Sequence, residues 1–221
     1  MKIAVLGWGS LIWCPKNIKI KDKNWEEDGP KLPIEFARIS SHERLTLVIY
    51  PRYLNQKNRW VQTLWTEMNV ESIEEAILSL GQREGTSCRK IGFIYKRAKK
   101  LKEEFKDRDN FCKNTRQKDI EVSEGDYYYY FEKLEQKQDY EKQIIKEIEK
   151  WMKNKELDGV VWTELEPNFE EETEMKLTKE NVIKYLKKTK AEEYIRMAPL
   201  KIRTKMRVVI EEKLGWVHEE N

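Results

Sequence analysis

Ile3 to Leu6 is an unbroken apolar run closed by Gly7, the pattern of a strand buried on both faces that runs into a tight turn. Pro15 then stops any long helix from following. Residues 16–31 are polar and punctuated by Asp28-Gly29-Pro30, as a surface loop would be. Ile34 to Ile39, Leu45 to Tyr50 and Trp60 to Trp65 read as three further strands, because branched and aromatic residues dominate them. Ser72 followed by Glu75 is a capping box, and Ile73, Ala76, Ile77 and Leu80 recur at helical spacing. That spacing predicts a short helix over 73–80, ended by Gly81, with Glu84 just beyond its end. Ile91 to Tyr95 reads as one more strand.

The second half has a different period. Ile144, Ile145, Ile148, Trp151 and Met152 mark one face of an amphipathic helix at about 139–154, and Leu157 to Trp162 turn into a strand. A helix from Lys179 to Lys188 follows. Ile202, Met206, Val209, Ile210 and Leu214 mark a last helix, opened near Pro199 and closed by Gly215. Strands cluster early and helices late, which predicts an α+β fold rather than a regular βαβ alternation. Residues 96–126 are strongly charged and fall in an insertion at about 96–150, and the four tyrosines Tyr127 to Tyr130 are assigned to packing.

With 221 residues and no linker rich in Pro, Gly or Ser, the chain is expected to form one domain over 1–221. Lys plus Arg (43) nearly cancels Asp plus Glu (40), and the net charge of +3 gives no reason to expect nucleic acid as a partner. Cys14, Cys88 and Cys112 are widely spaced, with no C-x-x-C pair, which suits reduced thiols in the cytoplasm. Two histidines, His42 and His218, are too few for a histidine-based metal cluster, so no metal is expected. The apolar start is too short for a signal-peptide core and no run approaches spanning length, so neither export nor a membrane partner is expected. Nothing in the sequence fixes an oligomeric state.

The opening Gly7-Trp8-Gly9-Ser10 imitates a dinucleotide fingerprint after a strand, but Ile12 stands where the third glycine belongs and Pro15 falls inside the helix the fingerprint needs. Ser10 is not a hydrolase nucleophile elbow either, since Ile12 again replaces a required glycine. What a glycine-serine turn at a strand's end does provide is backbone N–H groups unobstructed by side chains, suited to a carboxylate or an oxyanion. Trp8 and Trp13 flank the turn and could wall a small pocket.

Three pieces together resemble the gamma-glutamylcyclotransferase family. Members open with an apolar strand and a Tyr-Gly-Ser-Asn-Leu turn, and Leu6-Gly7-Trp8-Gly9-Ser10-Leu11 is similar, with Trp8 for the tyrosine and no asparagine. Their catalytic glutamate stands in a Leu-Asp-x-x-Glu-Gly run, which Leu80-Gly81-Gln82-Arg83-Glu84-Gly85 resembles, with Gly81 in place of the acid. Glu193-Tyr194-Ile195 looks like the family's late tyrosine, which contacts substrate. The resemblance implies a small mixed β-barrel with flanking helices and a cofactor-independent enzyme that cyclises a γ-glutamyl amide to 5-oxoproline and releases the amine. It implies Glu84 as the catalytic acid-base group, and Gly7, Trp8, Gly9, Ser10, Leu11 and Tyr194 as the substrate-binding set. Such a substrate carries its own nucleophile, so Cys14 is not needed as a thiol nucleophile. The alternative is a non-catalytic member that binds or sequesters a small anionic metabolite or nucleotide, with Arg38 or Arg52 contributing.

Overall fold

A computed structural model of the protein describes residues 1–96, 120–122, 128–130, 138–189 and 191–218. They form a mixed α and β structure divided into two compact units. The first unit comprises Met1–Gly7, Pro15–Pro30 and Leu64–Glu164; the second comprises Trp8–Cys14, Lys31–Thr63 and Leu165–Asn221. Most of the charged segment 96–126, and with it much of the expected insertion, lies outside the described residues.

The strands are β1 (Ile3–Gly7), β2 (Lys31–Leu32), β3 (Ile34–Ser40), β4 (Arg44–Ile49), β5 (Val61–Gln62), β6 (Leu64–Glu67), β7 (Ile91–Tyr95), β8 (Ile120–Val122), β9 (Tyr128–Tyr130) and β10 (Gly159–Thr163). The helices are α1 (Ile73–Glu84), α2 (Gln138–Asn154), α3 (Phe169–Thr173), α4 (Lys179–Leu186), α5 (Glu192–Met197) and α6 (Lys205–Leu214).

The first unit is built on a mixed sheet of order β6-β1-β10-β7-β9-β8. Consecutive residues of β1 are all buried, as its unbroken apolar run predicts for a strand with no solvent face. It runs parallel to β10 and antiparallel to β6. Helix α1 packs on β10 and β7. On α2 the expected face of Ile144, Ile145, Ile148, Trp151 and Met152 is buried, and Trp151 meets Trp65 of β6 edge to face at 5.3 Å. The described strands do not close into a barrel.

The second unit holds the β3–β4 hairpin, with a bulge between Phe36 and Arg38, and the small β2–β5 pair. The run Trp60 to Trp65, expected as one strand, is two: Val61–Gln62 pairs with β2 and Leu64–Glu67 pairs with β1. Thr63 separates them, and hydrophobicity alone does not reveal which partner each half selects. The last helix begins at the N-cap Thr204, whose side chain accepts from the Arg207 N–H, and not near Pro199. Its end at Gly215, in the left-handed region at φ 70°, is as expected.

Glu35 of β3 is fully buried. Its Oε1 accepts from the Phe36 N–H at 2.9 Å, and its Oε2 accepts from the Tyr53 hydroxyl at 3.1 Å and from the Met206 N–H at 3.2 Å. It thereby ties β3 to the first turn of α6. Burial raises its pKa, against the pull of those hydrogen bonds. A raised value means the folded state holds the proton more tightly than the unfolded chain. Stability from this group is therefore present at acid pH and declines as pH rises through the folded value. Denaturation at a series of pH values should show this decline, with a slope of at most about 1.4 kcal/mol per pH unit from one proton. In Glu35→Gln that component should disappear; an unchanged pH profile would contradict it.

Cys14 is exposed and outside any disulfide, whereas Cys88 is disulfide-bonded, which departs from the expectation of reduced thiols throughout. Spacing cannot report such a pairing, because it depends on which segments the fold brings together. Among the described residues no helix is long and apolar enough to cross a membrane.

Candidate functional site

Beyond Gly7 the chain folds into two overlapping turns. The Ile12 N–H donates to the Gly9 carbonyl at 3.0 Å and the Cys14 N–H to the Ser10 carbonyl at 2.8 Å. Trp8 and Leu11 are buried and anchor the segment, while Ser10 and Trp13 are partly exposed. Pro15, which has no N–H to donate, ends the segment. Among the described residues the amides of Gly9 and Leu11 donate to no backbone carbonyl. Backbone N–H groups of this kind can hold anionic oxygen.

Tyr194, on α5, lies directly against this turn. A Cβ on Gly9 would stand 2.6 Å from its hydroxyl oxygen and 3.8 Å from Cζ, so glycine is required here by close approach. The Tyr194 side chain is 8% exposed, and its ring meets that of Trp13 edge to face at 5.2 Å and 66°. Two pieces of the resemblance, far apart in sequence, are thus in contact. Gly9→Ala should lower stability by about 1–2 kcal/mol, because the phenol is held and must move. In a Tyr194→Phe background, where the nearest ring atom is 3.8 Å away, most of that loss should vanish. A double-mutant cycle by urea denaturation checks this; strictly additive losses would contradict the contact.

Glu84 is the final residue of α1, not a residue beyond it. The helix runs through Gly81 and stops at Gly85, which adopts φ 64°. The Gly85 N–H donates to the Gln82 carbonyl and the Thr86 N–H to the Gly81 carbonyl, the paired bonds of a Schellman ending. Gly81 fails as a stop because its φ is helical; a Cβ there would meet the Thr86 carbonyl oxygen at 3.4 Å. The Glu84 side chain is 16% exposed and the Arg83 side chain 5%. Arg83 Nη1 donates to Glu84 Oε1 at 2.6 Å, while Oε2 accepts no hydrogen bond among the described residues. One carboxylate oxygen is thus fixed by the guanidinium. Arg83 escaped the sequence reading, since adjacent helical residues do not normally share a face.

Arg38 and Arg52, the arginines expected to contribute to an anion site, are both engaged. Arg38 Nη1 donates to the Glu166 carbonyl at 2.7 Å. Arg52 forks onto Glu170 through two bonds of 2.8 Å, in a cleft of about 260 Å³ that is also lined by Tyr50, Asn168 and Phe169. The Arg52 guanidinium lowers the pKa of Glu170 and so keeps the pair ionised and mutually neutralised. Among the described residues no cluster of three or more His, Cys, Asp or Glu side chains could hold a metal ion.

Compared with protein-family models, curated proteins and solved structures, the chain matches none.

Proposed function

We propose that the chain is a gamma-glutamylcyclotransferase-like enzyme that converts a γ-glutamyl amide or peptide to 5-oxoproline and the free amine. The observation that carries this is the packing of the Tyr194 hydroxyl on Gly9 in the glycine-serine turn. In the reaction the substrate's α-amine attacks its own γ-carbonyl carbon, the ring C–N bond forms, and the bond to the departing amine breaks. The α-ammonium loses two protons on the way to the lactam N–H and both end on the departing nitrogen, so the amine leaves as an ammonium; the enzyme holds the folded conformer and carries the protons across. Glu84 takes the first of them from the α-ammonium through Oε2, which frees the nucleophile, and delivers it to the leaving amine, the second following by the same route as the tetrahedral adduct collapses, while Arg83 fixes Oε1. The family resemblance assigns the glutamyl group or the developing oxyanion to the Gly9-Ser10-Leu11 turn, against which Tyr194 rests. The small barrel implied by the resemblance belongs to the same proposal.

The Arg83–Glu84 ion pair also favours a second reading, a non-catalytic family member that binds or sequesters a small anionic metabolite or nucleotide, because a carboxylate committed to a buried guanidinium is neutralised and not free for proton transfer. Incubating the purified protein with a panel of γ-glutamyl amides and peptides, with mass-spectrometric detection of 5-oxoproline, separates the two. Catalytic release is the expected result; saturable binding without product would establish the second reading.

A further inference from the structure

Trp13 is half-buried, and its ring meets that of Tyr194, whose hydroxyl lies against Gly9 of the glycine-serine turn. Resting on the function proposed above, we infer that Trp13 and Tyr194 form the subsite for the leaving amine, and that the substituent this amine carries is aromatic and without a charge of its own. Electrostatics on both elements favours that class. The segment Trp8 to Cys14 carries no basic or acidic residue. On α5 the cation Arg196 is held by Glu192 at 2.6 Å and donates to the Val217 carbonyl at 3.3 Å. A leaving group that kept a carboxylate, as an amino acid does, would meet rings and, among the described residues of these two elements, no guanidinium outside an ion pair. A cationic leaving group would exchange water for the same two rings, while the acid nearest to Tyr194 in the chain, Glu193, is exposed to solvent. An aromatic substituent instead buries apolar surface against Trp13 without desolvating a charge.

The reaction is unchanged by this assignment: the γ-carbonyl carbon exchanges its bond to the arylalkyl amine for one to the α-nitrogen, and the two protons lost by the α-ammonium leave on the amine, which departs as an ammonium. The test compares the γ-glutamyl derivatives of benzylamine, alanine and 1,4-diaminobutane. The benzylamine derivative should have a kcat/KM about tenfold or more above the other two. Trp13→Ala should remove that preference by raising KM for the benzylamine derivative alone, with kcat retained, while Trp13→Phe, which keeps a ring, should restore it. Preference for the alanine or diaminobutane derivative, or an equal loss on all three in Trp13→Ala, would overturn the subsite. Absence of 5-oxoproline from these and from a broad panel of γ-glutamyl amides would overturn the proposed function together with it. Release from the panel without an aromatic preference would remove this inference only.

Discussion

Gly92→Ala should destabilise the protein by about 3 kcal/mol or more. Gly92 lies in β7 directly opposite Trp162 of β10, and a Cβ at position 92 would stand 2.3 Å from Cε2 and 2.4 Å from Nε1 of that indole. The ring has nowhere to go. Trp162 is fully buried, and its Nε1 donates to Glu164 Oε2 at 2.6 Å, so moving the ring gives up both packing and a buried hydrogen bond. Backbone shift would have to occur between the two central strands on which α1 packs. Thermal or urea denaturation measures the loss; a variant as stable as the parent would show that Trp162 does not lie over Gly92.

The second large effect concerns turnover. Glu84→Gln should reduce kcat by a factor on the order of 100 or more, because the amide keeps the size and shape of the side chain but cannot carry the proton. The fold should survive. The Gln Oε1 can still accept from Arg83 Nη1, the contact that holds the helix end, and the Schellman bonds of Gly85 and Thr86 involve no Glu84 side-chain atom. Substrate binding should also persist, since the glutamyl group is assigned to the turn amides. A variant with unaltered kcat on a confirmed substrate would remove Glu84 from the mechanism.

Much of the fold was legible because it is written in local patterns. The unbroken apolar run of β1, the Ser72 cap of α1 and the Ile144-to-Met152 face of α2 each obey a period or a cap that needs no knowledge of the partner. The errors share one cause, dependence on distant residues or on backbone angles. A glycine ends a helix only where it takes a positive φ, which Gly85 does and Gly81 does not. The run Trp60 to Trp65 divides because its halves pair with different strands. Glu35 looks like an outward residue between Ile34 and Phe36, yet its partners Tyr53 and Met206 come from elsewhere in the chain and allow its burial. For the candidate site, sequence supplied Gly9, Ser10, Tyr194 and Glu84 through a resemblance, and the fold added that Tyr194 rests on Gly9 and that Arg83 grips Glu84.

The most direct test of cyclisation is to run the reaction in heavy-oxygen water and weigh the products. Attack by the substrate's own amine leaves the γ-carbonyl oxygen in place, so 5-oxoproline should form without label, at a rate that collapses in Glu84→Gln. Labelled glutamate as the primary product would mean that water is the nucleophile, and would contradict the proposed intramolecular acyl transfer.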